Sequence, residues 1–268
     1  MPSRVIDVAL NGGDVHLRSG TDLTSPYAAL SHCWGGSSPM MTLKENLEKR
    51  MVSISFENLP KTFREAVEVC RALKIPYLWV DSICIIQDSP DDWQLQSSQM
   101  HSIYHGSTLT LAALESIDSS QGLFIPKVPF IDVLPLSPGV LETRGWAFQE
   151  LRLSKRVLYF FKGEMMWRCS EQNEKVFHEL LKHSGGSNIQ RSWYNLVEDY
   201  SNCRLTIQDD KLPALSGVAS RFCAITKDQY LAGHWRIDLA GSLFWEGLRA
   251  FRVKSYRAPT WSWASIDG

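Results

Sequence analysis

The side chains in this sequence best placed to do chemistry are Asp81, Gln96, Arg144 and Glu150, with Ser31, His32 and Trp34 as a second group. Asp81 interrupts the run Tyr77-Leu-Trp-Val-Asp-Ser-Ile-Cys-Ile-Ile86, which is otherwise β-forming and nearly all apolar. That run reads as a strand buried on both faces. Directly after it, Ser89-Pro90-Asp91-Asp92 starts a helix, with a cap hydroxyl, proline at the first helical position and acids in the first turn. Trp93, Gln96, Met100, Ile103 and Tyr104 then recur on one helical face, so an amide interrupts an apolar stripe. An unpaired buried polar group costs roughly 1–3 kcal/mol. An aspartate inside a buried strand and a glutamine on the inner face of the next helix therefore point to a site at the strand's carboxyl end.

Each candidate also has a structural reading. Asp81 is either a core acid satisfied by backbone amides or the floor of a site, and Gln96 is either a boundary residue or part of that site. Arg144 is suited to holding a phosphate bidentately, or to a buried pair with Asp81 or Glu150. Glu150, after Trp146 and Phe148, either joins the site or bridges to Arg144 or Arg152. His32 and Cys33 are adjacent and point to opposite faces of a strand, a poor geometry for a thiol–imidazole pair; His32 alone can line a pocket. Ser31, Gly35 and Gly36 can offer backbone N–H groups to a pyrophosphate, although no GxGxxG or Walker loop is present. No metal-ligand spacing stands out.

The elements that must position these residues are legible. Tyr27 to Trp34 reads as a strand ending in the glycine pair, with a loop at Ser37-Ser38-Pro39. Residues 60–74 form an amphipathic helix, with Phe63, Ala66, Val67, Cys70 and Leu73 inward. The strand at 77–86, the helix at 90–104 and a strand at 107–113 follow. Strand, helix, strand, helix, strand predicts a parallel α/β core. After a proline-rich loop at 121–139, a short helix begins near Thr143. Arg156–Phe161 and Glu164–Cys169 read as a hairpin turning at Lys162-Gly163. Residues 193–226 are mainly helical, 229–252 are aromatic and mixed, and 259–265 alternate like a strand that stops short, as in a longer protein. Residues 1–26 read as a hairpin or irregular lead-in.

Bulk properties remove some functions. A formal net charge of −1 over 268 residues gives no electrostatic case for nucleic acid or an anionic membrane as partner. No apolar run is long enough to span a bilayer and no signal-peptide core is visible, so a soluble, cytoplasmic protein is expected. The six cysteines are scattered without a C-x-x-C pair and read as reduced core thiols. Ten tryptophans predict an aromatic-rich core or pocket.

Several ordered blocks together resemble the heterokaryon-incompatibility (HET) domain of filamentous fungi. They are Tyr27-Ala-Ala-Leu-Ser-His-Cys-Trp-Gly35, Leu59-Pro-Lys-Thr-Phe63, Tyr77 to Asp88, Asp92-Trp93, Met100 with Ile103-Tyr104, and Arg144-Gly-Trp-Ala-Phe-Gln-Glu150. Later pieces, among them Tyr230-Leu-Ala-Gly-His-Trp235 and Pro259-Thr-Trp-Ser-Trp-Ala264, resemble the region that follows the domain in such proteins. The resemblance implies a role in non-self recognition and cell death after fusion of unlike hyphae. It also implies a distant likeness to TIR domains, which have flavodoxin-like folds and in many cases cleave NAD at the nicotinamide–ribose bond. The expected layout is a lead-in over 1–26, a HET domain over 27–170 with a TIR-like parallel core, and a mainly helical extension over 171–268 packed on it.

By that likeness the catalytic glutamate falls at position 96, where this chain has Gln96. Cleaving the glycosidic bond develops positive charge on the ribose, which a fixed carboxylate stabilises and an amide does not. Gln96 is thus an introduced silencing substitution, a natural loss of activity, or a sign that the carboxylate is Glu150 or Asp81. Asp81, Arg144 and Glu150 are expected to shape the site, with Ser31, His32, Trp34 and Gly35 binding substrate; Trp34 either stacks on nicotinamide or adenine or packs in the core. NAD is expected as substrate rather than cofactor, with self-association or an upstream sensor as partner. The competing expectation is a death-signalling adaptor without turnover.

Overall fold

A computed structural model of the chain describes residues 1–35, 40–126, 139–169, 187–247, 250–253 and 255–267. Gly36, the loop at 37–39 and most of the proline-rich loop lie outside the described residues. The centre is a seven-stranded sheet built from β1 (Arg4–Asp7), β2 (His16–Ser19), β3 (Tyr27–Ser31), β4 (Tyr77–Trp79), β5 (Leu109–Ala113), β6 (Arg156–Phe161) and β7 (Glu164–Cys169). Its order is β2-β1-β4-β3-β5-β6-β7. The four inner strands β4, β3, β5 and β6 run parallel, while β1, β2 and β7 are antiparallel additions at the margins. The parallel α/β expectation holds.

Every residue of β3, β4 and β5 is buried, as continuous apolar strands between two helical layers must be. Right-handed crossovers place α2 (Lys61–Ala72) on one face of the sheet. They place α4 (Pro90–Gly106) and α5 (Gly145–Leu153), which touch each other, on the opposite face. In α2 the buried positions are Thr62, Phe63, Ala66, Val67 and Cys70, whereas Leu73 is half exposed beyond the last turn. Taken in chain order, the inner strands follow the flavodoxin-like arrangement, whose topological switch point lies between β3 and β5. Residues 1–26 form the β1–β2 hairpin, and β1 continues the sheet by pairing with β4.

Four local expectations are corrected. The strand predicted over 77–86 ends at Trp79, and Asp81–Cys84 forms one helical turn, α3. Asp81 Oδ1 accepts the Ser82 amide at 2.7 Å, and the Val80 carbonyl accepts Ile83 and Cys84 at 3.1 and 2.7 Å. A short acid that bonds its neighbouring backbone competes with the sheet ladder, and an apolar run alone cannot separate a strand from a buried turn. Trp93 does not join the buried stripe of α4 but is 37% exposed. The Ser89 hydroxyl does not cap α4; Asp92 instead accepts the Ile86 amide at 2.8 Å and pairs with Arg4. Residues 259–265 form turns and a short 3-10 segment rather than a strand.

The described cysteines are all free; Cys33, Cys70 and Cys84 are buried and the other three are half-buried. Among the described residues no helix is long and apolar enough to cross a membrane.

The chain after the sheet adds α6 (Ser187–Ser201) and α7 (Pro213–Thr226), with Trp193, Phe222 and Trp235 packed edge to face or stacked around them. Helix α7 seats on α4 and α5 through Gly217, whose amide donates to Gln149 Oε1 at 2.6 Å. A Cβ at Gly217 would lie 2.5 Å from the His101 Cβ and 2.7 Å from Gln149 Oε1. Gly217→Ala therefore inverts the usual helical preference for alanine, which is about 1 kcal/mol in its favour. The expected outcome is destabilisation by about 1–3 kcal/mol in urea unfolding, as in an overpacked core, against no loss for Ser216→Ala on the exposed face.

Candidate functional site

The carboxyl ends of β3 and β4 and the start of α5 bring most of the chemically capable residues together. Ser31 is the last residue of β3, and its Oγ donates to Glu150 Oε2 at 2.5 Å. Glu150 lies in the second turn of α5, so this bond ties the helix to the end of the central strand. Tyr104, from α4, closes the cluster from its own layer. Its hydroxyl donates to the Leu30 carbonyl at 3.2 Å and also lies against Glu150. Ser31, Tyr104 and Glu150 are all buried.

The next residues of the chain turn to the other side of the strand end. His32 is 3% exposed and its ring meets Phe63 of α2 edge to face at 5.0 Å. Its Nδ1 is 3.9 Å from Asp81 Oδ1, and its Nε2 has no hydrogen-bond partner among the described residues. Trp34 donates its indole N–H to Asp81 Oδ2 at 2.8 Å. Asp81 is thus the acceptor that joins the ends of β3 and β4. Arg144, the residue that leads into α5, donates to the His32 carbonyl. Among the described ion pairs none joins Arg144 to Asp81 or Glu150, the partners expected from sequence; its charge reaches Glu150 and His32 through space.

Gly35 has a reason of its own. Its φ of +80° favours glycine, and a Cβ there would sit 2.3 Å from the Asp118 Cβ. Asp118 belongs to the segment after β5, which is held across α2 by Thr62 and by Glu65, whose carboxylate accepts the Leu123 and Phe124 amides at 2.5 and 3.0 Å.

Gln96 is placed differently. It is buried, yet its Nε2 donates to Ser3 Oγ at 2.9 Å in the lead-in to β1, and its Oε1 has no hydrogen-bond partner among the described residues. The hydrogen bonds and charge couplings of the Glu150 cluster are made without it. Sequence reading did not single out Tyr104 as a partner of Glu150. Its polar tip, two turns beyond Gln96 on a buried face, is the signal that could have found it. The Trp34–Asp81 bond likewise joins residues from two strand ends that no local pattern connects.

Burial sets the electrostatics. Removal from water pushes the Glu150 carboxyl up to about 7; nearby Asp81 adds to this, while the Ser31 bond and Arg144 work against it. The same desolvation pulls His32 down to about 4, with Asp81 opposing. The Cys33 thiol is also raised by burial. At neutral pH the site holds a glutamic acid poised between its two forms and, on the other side of the strand end, a neutral imidazole. A group so poised inside a closed environment can accept or release a proton during a reaction. Among the described residues no group of three or more His, Cys, Asp or Glu side chains is placed to hold a metal ion.

These shifts have opposite linkage signs. Glu150, raised above its unfolded value, contributes stability that is fully present below pH 4.5 and is lost as pH rises through about 7. His32, lowered, contributes stability present above pH 6.5 and lost as pH falls through about 4. In Glu150→Gln the Glu150 contribution disappears and the His32 contribution stays. Urea unfolding of the two proteins from pH 4.5 to 8 is expected to move the variant's relative stability upward with pH by on the order of 3 kcal/mol, at about 1.4 kcal/mol per pH unit. A difference that stays constant across this range would contradict the shift.

No curated protein and no solved structure matches the chain. One family model does, described as Heterokaryon incompatibility protein (HET), over residues 27–132. The matched stretch includes Ser31, His32, Trp34, Asp81, Gln96 and Tyr104, while Arg144 and Glu150 lie beyond it. Residues 27–132 are thus similar to the HET domain, in line with the resemblance carried by the sequence blocks.

Proposed function

We propose that this chain acts as a HET-domain cell-death effector by hydrolysing the nicotinamide–ribose bond of NAD, with Glu150 as the catalytic carboxylate. The observation that carries the reading is Glu150 itself: a buried carboxyl, hydrogen-bonded to Ser31, at the carboxyl end of the central parallel strand beside the switch point. The substrate class comes from the likeness of HET domains to TIR domains. In this reading the carbon–nitrogen bond breaks and its electron pair leaves with nicotinamide. Ionised Glu150 faces the positive charge that develops on the ribose, and water adds to the same carbon. Glu150 takes the proton that water gives up, so the products are nicotinamide, ADP-ribose and a proton.

The other residues have supporting parts. Ser31 orients the Glu150 oxygen, and Arg144 supplies a positive charge suited to a phosphate. Trp34, Asp81 and Arg144 keep exposed surface, so substrate approaches on their side, with the Trp34 ring available for stacking. Gln96 acts as a structural residue that joins α4 to the N-terminal segment.

The test is nicotinamide release from NAD by the full chain, Glu150→Gln and Gln96→Glu at high protein concentration. The expected result is turnover that rises with pH through about 7 as Glu150 ionises. Glu150→Gln should lose at least about 100-fold in kcat, and Gln96→Glu should show no gain. Turnover confined to Gln96→Glu would return the catalytic position to residue 96. No turnover in any of the three folded proteins would favour the adaptor reading.

A further inference from the structure

Two tyrosines stitch β3 to α4, one from each side, and the two bonds are unequal. Tyr27, in β3, donates to the Ile103 carbonyl of α4 at 2.6 Å. Tyr104, the next residue of α4, donates back to the Leu30 carbonyl of β3 at 3.2 Å. O–H···O bonds lie between about 2.5 and 3.0 Å, so the first is a full bond and the second a weak one. The Tyr27 bond holds helix to strand whichever way the Tyr104 proton points.

Tyr104 has a second acceptor. Its hydroxyl also lies within hydrogen-bonding reach of the Glu150 carboxyl. A phenol carries one proton, so it serves the Leu30 carbonyl or Glu150 but not both in full. The ring cannot move to choose between them: it is buried and meets Trp79 of β4 edge to face at 5.5 Å. Only the hydroxyl proton is left to turn. Burial pushes the Tyr104 hydroxyl well above its ordinary range, so it stays protonated while Glu150 titrates.

We propose that Tyr104 is a positioning residue for Glu150: its proton turns from the Leu30 carbonyl to the carboxylate when Glu150 ionises. A neutral carboxyl has a hydrogen of its own to place, whereas a carboxylate is acceptor-only and takes several donors. A hydrogen bond to a charged oxygen is roughly twice as strong as one between neutral groups. Trading a long neutral bond for a charge-assisted one therefore favours the ionised form, and the Leu30 carbonyl loses little. Ser31 gives Glu150 Oε2 one donor from the strand, at 2.5 Å. Tyr104 gives the second from the helix, so the anion is held from both layers. Asp81 and Arg144 also face this pair, from beyond β4 and before α5, and Cys33 faces Glu150 from beyond β3. Helix α1 (Leu47–Val52) packs against β2 at the sheet margin and α2 lies on the other face, so their charges do not. As a part in turnover the role rests on the NAD reading; the turning of the proton does not.

The test is carbon-13 NMR of the full chain, labelled at the tyrosine ring carbon that bears the hydroxyl and at the glutamate carboxyl, across the neutral pH range. Tyr104→Phe assigns the Tyr104 signal. That signal is expected to move with a midpoint at about 7, together with Glu150, and to stay flat in Glu150→Gln. Tyr104→Phe keeps the ring and loses the donor. In it the Glu150 midpoint is expected to rise by about 1–2 pH units, the worth of one hydrogen bond to a charged group. A Tyr104 signal that stays flat in the unchanged chain would overturn the proposal, as would an unmoved Glu150 midpoint in Tyr104→Phe. In NAD turnover, kcat of Tyr104→Phe at pH 7 is expected to fall about 10-fold and to recover at higher pH, with KM unchanged. With no nicotinamide release the NAD reading falls, while the two titrations, read without substrate, still decide the role of Tyr104.

Discussion

A carboxyl group almost wholly removed from water must be neutral or matched by its neighbours, and the centre of this protein is arranged around one that is partly both. Glu150, in the second turn of α5, holds that helix to the end of β3 through Ser31, while Tyr104 reaches the same spot from α4. The helical layer on that face of the sheet is thereby referenced to a single point. Helix α7 seats in turn on α4 and α5 at Gly217, so the chain after the sheet inherits its position from the same layer. Burial raises the Glu150 pKa, and the Ser31 bond and Arg144 limit the rise, which leaves it within the physiological range. The tie that organises this layer is also a buried carboxyl raised towards neutrality.

Around that point the parallel topology supplies the rest. Carboxyl ends of parallel strands gather side chains from distant parts of the sequence, which is why ligands bind there in open α/β sheets. Here the ends of β3 and β4 contribute His32, Trp34 and Asp81, and the entry to α5 contributes Arg144. Asp81 serves as a junction rather than a buried strand residue: it takes the Trp34 indole and the Ser82 amide, and so fixes both strand ends. The neutral His32 fills the space between Asp81 and Phe63.

Much of this was legible in the residues. The 3.6-residue period of α2, the β6–β7 hairpin with its Lys162-Gly163 turn, and the alternation of strands and helices lead directly to the parallel core, because each is a local pattern. The extent of the strand from Tyr77 was not legible, since an apolar run buries equally well as a strand or as a helical turn, and the Asp81 carboxylate decides between them. The partner of Gln96 was not legible either. A glutamine on an apolar helical face signals a buried amide but not its direction, and the family likeness drew it towards the site while Ser3 holds it elsewhere. Glu150 was named among the candidates, but its link to Ser31 spans strand and helix at long sequence separation, which no periodicity encodes. The exposure of Met165, Met166 and Trp167 was not legible either, since a hairpin pattern does not say which of its strands ends the sheet.

The central claim is that Glu150 is a buried carboxyl titrating near neutrality. Carbon-13 NMR of glutamate side-chain carboxyls, with the Glu150 signal assigned by its loss in Glu150→Gln, measures this directly. The account predicts a midpoint at about 7, well above the ordinary glutamate value of 4.5. A midpoint at the ordinary value would contradict it, because Glu150 would then be a plain carboxylate at neutral pH, with the cost of its burial offset in full by its neighbours.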